Sequence, residues 1–330
     1  MTSYYLGLDA GNSKTVALVA DGTGVVLGRG RGGSGDIYSA SDAEGEVERA
    51  VRAALADAGL ETGQLRHAAF RLAGVDWPED EAQWATVLAH RLPDLTSVSI
   101  KNDGFSLLRC GSPDGVGVAI NVGTGPAVAA RGTDGTELCL CWWIAHPLGG
   151  KDLGRSAFRA VVDAELGAGR PTLLTAELLT LYGYDDVESM LHSFTRRHPE
   201  RPVPDERVAA RSVLRAASSG DAVAWGIVAD QAATFARLAG VAARRTGQAG
   251  PDPTPCVLGG SILTSEHPAY REALVEALVT ELGQVEVVAS AATPVAGALL
   301  DALAEGGAEL NQLTHDEVLR ADHPAEFLFT

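Results

Sequence analysis

Two aspartates stand where a predicted buried strand ends, and a carboxylate at such a position can do chemistry. Asp9 follows the apolar run at 4–8, and Asp103 follows a strand predicted over 97–100. A carboxylate like that of Asp9 can hold a magnesium ion. One like that of Asp103 can take a proton from a hydroxyl in a closed cleft. Asp103 has a second interpretation, as the cap of a helix predicted to begin at Phe105.

The loop after Asp9 has the composition of a phosphate-binding loop. It consists of Gly11, Asn12, Ser13, Lys14 and Thr15. A glycine-containing loop directly after a buried strand lets backbone N–H groups approach a phosphate. Lys14 either adds a cation there or points to solvent. An ordinary β-hairpin whose polar residues only cap turns gives the same pattern, so the loop alone leaves both interpretations open.

The segment at 116–140 repeats the organisation of the segment at 4–28. Each reads as strand, glycine loop, strand, Asp-Gly turn and strand, with the turns at 21–22 and 134–135. Asp-Gly dipeptides favour two-residue hairpins. The loop of the second copy consists of Gly123, Thr124 and Gly125. Two copies of one unit predict two similar domains that clamp a nucleotide between their loops, although two unrelated hairpins would give the same pattern.

Hydrophobic periodicity predicts the elements that must position these loops. Further strands are predicted at 67–75, 97–100, 256–261 and 285–288. Helices are predicted at 42–58, 79–91, 105–109, 153–166, 173–182, 187–197, 205–217, 221–246, 268–282 and 295–304. Ser41 and Glu44 predict a capping box before the first helix, Gly59 ends it, and Pro294 suits the first turn of the last.

The tail from residue 305 to residue 330 has no strong pattern. Its apolar residues are expected to dock on this subunit or on another, and they are Phe327, Leu328 and Phe329.

Composition limits the partners of the protein. With 330 residues, 46% of them hydrophobic, the chain has enough material for two domains with substantial cores. A formal net charge of −17 argues against nucleic acid or an anionic membrane, because both are negatively charged. No apolar run approaches a membrane span, and the N-terminal residues lack a basic leader region, which predicts a cytoplasmic protein.

The four cysteines form neither a disulfide framework nor a CxxC pair. Cys139 and Cys141 fall on one face of a predicted strand. We interpret them as buried, reduced thiols.

Four motifs follow one another along the chain. They are DxGxxxT at 9–15, Asn-Asp at 102–103, Gly-Thr-Gly at 123–125 and LGGS at 258–261. In this order they resemble the motifs of the sugar-kinase branch of the actin–hexokinase superfamily. More narrowly, the chain resembles the N-acetylglucosamine kinase and BadF/BadG/BcrA/BcrD ATPase family, over residues 4–304.

The resemblance implies an α/β fold of two RNase H-like (actin-like ATPase) domains with a nucleotide cleft between them. Residues 1–114 with 294–330 would form the N-terminal domain, which carries the first phosphate loop and the general base. Residues 115–293 would form the C-terminal domain, which carries the second phosphate loop and the adenosine turn.

The resemblance also implies roles for individual residues. The loop Gly11–Thr15 would bind the β- and γ-phosphates of ATP, Asp9 would help to hold Mg²⁺, and Asp103 would take the proton from the attacking sugar hydroxyl. Phosphate contacts from the second domain would come from Gly123, Thr124 and Gly125, and the turn under the adenosine would consist of Gly259, Gly260 and Ser261.

Two further loops are implied to bind the sugar. One follows the first hairpin and contains Asp36, and the other follows the second hairpin and contains Asp152. Asp152 either binds sugar hydroxyls or caps the helix predicted to begin at Leu153. The stretch at 146–152 lacks the leading Gly-Asp of the family pattern, a departure that puts N-acetylglucosamine itself, and even catalysis, in question.

Three functions follow from these observations. The leading hypothesis is an ATP- and Mg²⁺-dependent kinase, cytoplasmic and homodimeric, that phosphorylates a hydroxyl of a sugar or an amino sugar similar to N-acetylglucosamine. The second is an ATPase activator with an iron–sulfur cluster shared between subunits, for which Cys139 and Cys141 are poorly spaced. The third is a nucleotide- or sugar-binding regulator without catalysis, which would have no chemical need of Asp103.

Overall fold

The first third of the chain forms a five-stranded sheet around the opening strand. The structure, a computed structural model, describes residues 2–198, 205–290 and 292–328. The strands of this sheet are β1 (Tyr4–Ala10), β2 (Thr15–Asp21), β3 (Val26–Gly32), β4 (Leu65–Leu72) and β5 (Val98–Asn102). Their order is β3-β2-β1-β4-β5, with the first three antiparallel and β4 and β5 parallel to β1. The carboxyl ends of β1, β4 and β5 therefore lie side by side.

The second sheet has the same topology. Its strands are β6 (Gly117–Val122), β7 (Pro126–Arg131), β8 (Glu137–Cys139), β9 (Thr254–Gly259) and β10 (Val285–Ala289). The order is β10-β9-β6-β7-β8, with β6, β7 and β8 antiparallel and β9 and β10 parallel to β6. The predicted internal repeat and the predicted mixed α/β fold are confirmed.

The turns inside the two repeats are longer than the predicted two-residue hairpins. Residues 22–25 connect β2 to β3, and the backbone N–H of Asp21 donates to the Val25 carbonyl at 3.2 Å. In the second copy the N–H of Gly132 donates to the Thr136 carbonyl at 2.8 Å. The prediction is wrong because the aspartate side chains accept backbone hydrogen bonds within the turns, which stabilises larger loops.

Helices pack against both sheets. They are α1 (Ala43–Ala58), α2 (Pro78–Arg91), α3 (Leu108–Gly111), α4 (Gly150–Glu165), α5 (Leu174–Tyr182), α6 (Val187–Thr195), α7 (Ala210–Ser218), α8 (Ala222–Arg245), α9 (Ala269–Leu282), α10 (Pro294–Glu305), α11 (Gln312–Arg320) and α12 (Ala325–Leu328). Short 3₁₀ helices include Asp103–Leu107 and Cys141–Trp143. Within the described part of the chain, no helix is long and apolar enough to cross a membrane.

The ends of the helices agree in part with the predicted signals. Pro294 occupies the first turn of α10, and Gly59 ends α1 with a left-handed φ of 66°. The N-cap of α1 is Asp42, whose side chain accepts a hydrogen bond from Gly45 N–H at 3.0 Å. The predicted capping box that starts at Ser41 is therefore wrong by one residue.

Both faces of the first sheet are covered. Alternate residues of β1 point to opposite faces, so Leu6 and Leu8 join the cluster under α1 and α2, while Tyr5 joins the cluster under α10. On β3, a Cβ at Gly30 would lie 2.0 Å from the carbonyl oxygen of Ala50. The glycine at this position therefore allows α1 to lie directly on the strand.

The second sheet packs against the longest helix. The residues of α8 that face the core include Val228, Ala232 and Phe235, all fully buried. The prediction that this helix belongs to the core is confirmed.

The C-terminal tail forms two helices, α11 and α12, on the first sheet. The prediction that this segment lacks a regular pattern is therefore wrong. Phe327 is buried in the cluster that also contains β1 and α10 residues, and Lys14 Nζ donates to the backbone carbonyl of Leu328. The described part of the tail thus docks on its own chain, while Phe329 lies outside the described residues.

Charged side chains join the two sheets behind the strand ends. Asp301 of α10 is fully buried and pairs with Arg71 of β4 at 2.7 Å, with Arg109 of α3 at 2.7 Å and with Arg131 of β7 at 3.4 Å. Burial opposes ionisation, but the arginine charges hold the pKa of Asp301 below its ordinary value. Because Arg131 belongs to the second sheet, the network connects the two halves of the protein.

Candidate active site

A cleft of about 540 Å³ lies where the central strands of both sheets end. Ligands of open α/β sheets bind outside the carboxyl ends of the strands, at this kind of position. The cleft brings together most of the predicted site residues. Those that line it are Asp9, Gly11, Asn12, Ser13, Lys14, Asp36, Asp103, Gly123, Thr124, Gly125 and Gly260.

Asp9 is the penultimate residue of β1 and contributes a carboxylate to the cleft. Its Oδ1 accepts a hydrogen bond from Ser106 Oγ at 2.7 Å. Burial raises the pKa of this carboxyl to about 6, although the Ser106 hydrogen bond and the Lys14 charge lower it. Burial disfavours the charged form of this carboxyl, and a cation bound next to it would stabilise that form. Asp9 is therefore suited to be a metal ligand.

Asp103 is the first residue of the 3₁₀ helix that follows β5. The cap of that helix is Asn102, whose Oδ1 accepts from Gly104 N–H at 2.8 Å, so the interpretation of Asp103 as a cap is wrong. Burial, and then the negative charges of Asp9, Asp76 and Asp36, raise the pKa of Asp103 to about 7. A carboxyl with a pKa near neutrality can exchange a proton at physiological pH.

The second glycine loop also faces the cleft. Gly123 N–H donates to the Gly125 carbonyl at 3.2 Å, and Gly150 N–H, at the start of α4, donates to the Gly123 carbonyl at 2.8 Å. A Cβ added at either loop glycine would meet nothing within 4 Å, so the loop borders open space. Gly260 follows β9 with a φ of 90°, and a Cβ there would lie 2.5 Å from the Val122 carbonyl oxygen, so this turn requires glycine.

Lys14 is a cationic residue of the first loop. Its ammonium group donates to the carbonyl of Leu328 in the docked tail. Burial, and then the charge of Arg31, lower the pKa of Lys14. Of the two interpretations of this residue, the structure favours a cation at the cleft, because Lys14 lines it and is half-buried.

Asp36 reaches the cleft from the loop after β3. Its Oδ1 accepts from Tyr38 N–H at 2.9 Å, and its Oδ2 accepts from the Ser39 hydroxyl at 2.9 Å. The same hydroxyl lies 2.8 Å from Asn12 Oδ1 in the first loop. These bonds hold the Asp36 carboxylate in one orientation next to the first loop.

Three predicted ATP-binding residues do not line the cleft. Thr15 is fully buried at the start of β2, and Gly259 is buried at the end of β9. Ser261 follows Gly260 and is exposed. Their predicted contacts with ATP stay predictions.

Asp152 lies away from the cleft, in the first turn of α4. Its Oδ2 accepts from Gln231 Nε2 at 2.9 Å, and it lines a separate cavity of about 300 Å³. The N-cap of α4 is Gly149, so the interpretation of Asp152 as a helix cap is wrong. A contact between Asp152 and a sugar stays a prediction.

The cleft has further lining residues that the sequence motifs did not single out. Asp76 follows β4, and its Oδ1 accepts from Asn102 Nδ2 at 2.9 Å. Burial, and then the charges of Asp80 and Asp36, raise the pKa of Asp76. No sequence motif marks Asp76; the parallel pairing of β4 with β1 and β5 brings the residues after it to the same edge of the sheet. The other additional lining residues are Tyr38, Ala73, Gly74, Asn121, Pro126, Ala127, Cys141, Trp142 and Pro294, and Asn102 of the Asn-Asp motif lines the cleft as well.

Two of the cysteines lie beside Asn102, the neighbour of Asp103. The Sγ atoms of Cys139 and Cys141 are 2.9 Å apart, and each is 3.3 Å from Asn102 Oδ1. Cys139 ends β8 and Cys141 begins a 3₁₀ helix, and both are half-buried, so their predicted burial and shared strand are wrong. Both are free thiols, as predicted. The hydrogen bond with Cys139, and then burial, raise the pKa of Cys141 well above its ordinary value, so it is a thiol.

The residues present fit a magnesium–nucleotide complex. Among residues 2–198, 205–290 and 292–328, no group of three or more His, Cys, Asp or Glu side chains could hold a metal ion by itself. Asp9 presents one carboxylate to the same space as two glycine loops. Mg²⁺ is usually bound in this way, by one or two carboxylates together with substrate phosphates and water.

A family model described as the BadF/BadG/BcrA/BcrD ATPase family matches residues 6–302. No curated protein sequence matches the chain.

Solved structures share the fold. The chain is similar to a protein of Chromobacterium violaceum described as a candidate N-acetylglucosamine kinase, with a TM-score of 0.65 and 24% identity over 90% of this chain and 98% of that one. A protein of Porphyromonas gingivalis with the same description gives a TM-score of 0.63 and 18% identity, over 92% and 99% of the two chains. A ROK hexokinase of Thermus thermophilus gives 0.53 and 16%, over 91% and 97%. At these identities the likeness shows the fold.

Proposed function

The chain belongs to the BadF/BadG/BcrA/BcrD ATPase family, and from that premise we propose that it is an ATP- and Mg²⁺-dependent kinase acting on a hydroxyl of a sugar or an amino sugar. The observation that carries the proposal is the presence of Asp9 and Asp103 in one cleft with two glycine loops. The descriptions of the similar structures, N-acetylglucosamine kinase and hexokinase, support an acceptor of this class.

The two loops would bind opposite sides of the ATP phosphates. Gly11 to Lys14 would contact them from the first sheet and Gly123 to Gly125 from the second, while the turn at 259–261 would lie under the adenosine. Asp9 would hold Mg²⁺, which neutralises charge on the phosphoryl oxygens. Because phosphoryl transfer needs positioning and charge neutralisation more than covalent help, these contacts account for most of the required chemistry.

Asp103 would act as the general base. It would accept the proton of the acceptor hydroxyl as the oxygen bonds to the γ-phosphorus and the bond to the ADP oxygen breaks. Its pKa of about 7 suits this role, because a base with a pKa near the working pH is both ionised and able to bind the proton. Asp36 would bind other acceptor hydroxyls, with its carboxylate already oriented by Tyr38 and Ser39.

Closure of the two domains would exclude water from the transferred group. The proposed domains are 1–114 with 294–330, and 115–293. Closure of this kind prevents hydrolysis of ATP in place of transfer. Asp152 would contact the acceptor only if closure carried α4 toward Asp103.

A phosphoryl-transfer screen over hexoses and amino sugars tests the proposal. ADP release and the phosphorylated product are measured for the wild type, for Asp103→Asn and for the matched control Asp252→Asn, whose side chain is exposed and does not line the cleft. We expect product with at least one acceptor, loss in Asp103→Asn, and normal turnover in the control. No transfer to any acceptor, or equal turnover in Asp103→Asn, would end the proposal.

The adjacent thiols of Cys139 and Cys141 favour one second candidate, an ATPase activator that shares an iron–sulfur cluster between subunits. Cluster iron is bound by thiolates, whereas the pKa of Cys141 is raised. Protein purified without oxygen would be brown if this candidate held, and colourless protein excludes it.

A further inference from the structure

Four aromatic side chains, two from each half of the protein, form two ring pairs, and one of these pairs lines the cleft. Tyr38 stacks on Trp142 with ring centroids 5.9 Å apart and planes at 17°. Trp77 lies against Trp143 with centroids 6.3 Å apart. We call these four residues the aromatic gate.

The rings of the aromatic gate are largely exposed to solvent. The exposed fractions are 60% for Tyr38, 61% for Trp142, 65% for Trp143 and 39% for Trp77. Three of the five tryptophans of the chain therefore belong to this exposed group. Contiguous exposed apolar surface marks a binding site, and aromatic rings supply large contact area with little loss of conformational entropy.

The gate is held in position from both sides. Asp80, which is 7% exposed, accepts from the Tyr38 hydroxyl at 3.2 Å through Oδ1 and from the backbone N–H of Trp77 at 2.9 Å through Oδ2. Trp142 and Trp143 belong to the 3₁₀ helix after β8. Preorganised rings lose little freedom when a ligand binds, which favours a role in recognition.

The gate continues the candidate active site outward. Tyr38 and Trp142 line the same cleft as Asp36 and Asp103. An acceptor that places one hydroxyl at Asp103 would therefore meet these rings with its other end. Trp77 and Trp143, which pair with each other, directly follow the cleft-lining residues Asp76 and Trp142 in the chain.

Local charge limits what can occupy the gate. Asp36 and Asp76 lie in the cleft beside Tyr38, and Asp80 bonds to its hydroxyl. After burial, the charge of Asp80, its hydrogen bond with the Tyr38 hydroxyl, and the charges of Asp76 and Glu79 raise the pKa of Tyr38. These neighbouring carboxylates make the field at the Tyr38 ring negative. An anionic substituent would be repelled there.

We propose that the aromatic gate binds a second, ring-sized and uncharged part of the acceptor. The preferred acceptor is then a glycoside with a second sugar ring or an aromatic aglycone, rather than a free monosaccharide. The inference deepens the proposed kinase function and rests on it. The gate residues determine specificity and take no part in phosphoryl transfer.

Calorimetric binding without ATP tests the gate separately from catalysis. The probes are N-acetylglucosamine, glucosamine and glucose, each as the free sugar, as its phenyl β-glycoside and as its carboxyphenyl β-glycoside. We expect at least one phenyl glycoside to bind about 3- to 10-fold more tightly than its free sugar, the range for an aromatic contact, and the carboxyphenyl form to lose this gain. Equal affinities for all free sugars and phenyl glycosides overturn the inference.

Variants assign the effect to the gate. In Trp143→Ala the preference for the phenyl glycoside should disappear while the free sugar binds as before. Trp77→Ala provides a second variant in case the first does not fold, and Trp225→Ala, which removes an exposed ring on α8, is the matched control. A preference that persists in both gate variants, or an equal loss for all ligands as expected of a closure contact, overturns the inference.

Phosphoryl transfer distinguishes the two proposals. Protein that shows the phenyl preference but transfers no phosphate to any acceptor would refute the kinase and keep the gate. Transfer without any phenyl preference would keep the kinase and refute the gate.

Discussion

Loss of phosphoryl transfer in acid follows directly from the charges in the cleft. Burial, and then the charges of Asp9, Asp76 and Asp36, raise the pKa of Asp103 from 3.8 to about 7. The base must be ionised to act, so its active form predominates above pH 7 and is lost as the pH falls through that value. We expect kcat/KM to fall about tenfold for each pH unit below 7. With an ordinary carboxyl the rate would be flat down to about pH 5.

Removing one neighbouring charge should shift the fall in kcat/KM at low pH, which we call the acid limb of the pH–rate profile, in a defined direction. In Asp76→Asn one of the charges that raise the pKa of Asp103 is absent, so the limb should move to lower pH by about one unit or less. The asparagine keeps the shape of the side chain next to Asn102. Asp252→Asn removes an equal charge at an exposed position before β9 and should leave the limb where it is.

The assay is the initial rate of ADP release between about pH 5 and about pH 9, with both substrates far below KM so that the limb reports the free enzyme. Asp103→Asn should lower the rate by about 10²- to 10⁴-fold and remove the part of the acid dependence centred near pH 7, leaving the titration of Asp9 near pH 6. A wild-type rate that does not change over this range would refute the reasoning. So would a limb that moves as far in Asp252→Asn as in Asp76→Asn.

Three further predictions concern the fold that supports the cleft. Asp301→Asn leaves buried guanidinium groups without their carboxylate and should lower the free energy of unfolding in urea by about 3–5 kcal/mol. Because the pKa of Asp301 is depressed in the folded protein, this difference is present above about pH 4 and shrinks below it. A loss under about 1 kcal/mol would contradict the role of the network. Gly7→Ala places a Cβ 2.1 Å from the backbone nitrogen of Leu299. It should separate β1 from α10 and lower the free energy of unfolding by about 2 kcal/mol or more. An unchanged melting temperature would show that β1 and α10 do not pack so closely. Phe327→Ala removes a buried ring from the tail and should increase deuterium exchange in α11 and α12 with little change elsewhere, since a terminal segment can open locally; unchanged exchange would contradict docking of the tail.

The elements that carry the phosphate loops could be predicted because their signals are local. A short apolar strand, a glycine loop and a second apolar strand depend on neighbouring residues alone, so both copies of the repeat are found in the structure. The same holds for Pro294 at the start of α10 and Gly59 at the end of α1.

Details that depend on competition between neighbouring side chains were predicted less well. Asp42 rather than Ser41 caps α1, and Asn102 rather than Asp103 caps the helix after β5. In both cases adjacent residues could make the cap, and the backbone angle at each decides between them. The tail helices were missed because their stability depends on contacts with β1 and α10, which are distant in sequence.

From the sequence alone come the two loops, the carboxylates Asp9 and Asp103, and the repeat that relates the two halves, because each is a pattern of residue types along the chain. Only the tertiary structure brings Asp76, Asn102 and two rings of the aromatic gate, Tyr38 and Trp142, to the same cleft. The parallel register of β1, β4 and β5 places the ends of strands far apart in sequence side by side, and the 3₁₀ helix after β8 meets them from the other sheet. Burial and mutual repulsion among these carboxylates then set the pKa of Asp103, which no single segment of the chain determines.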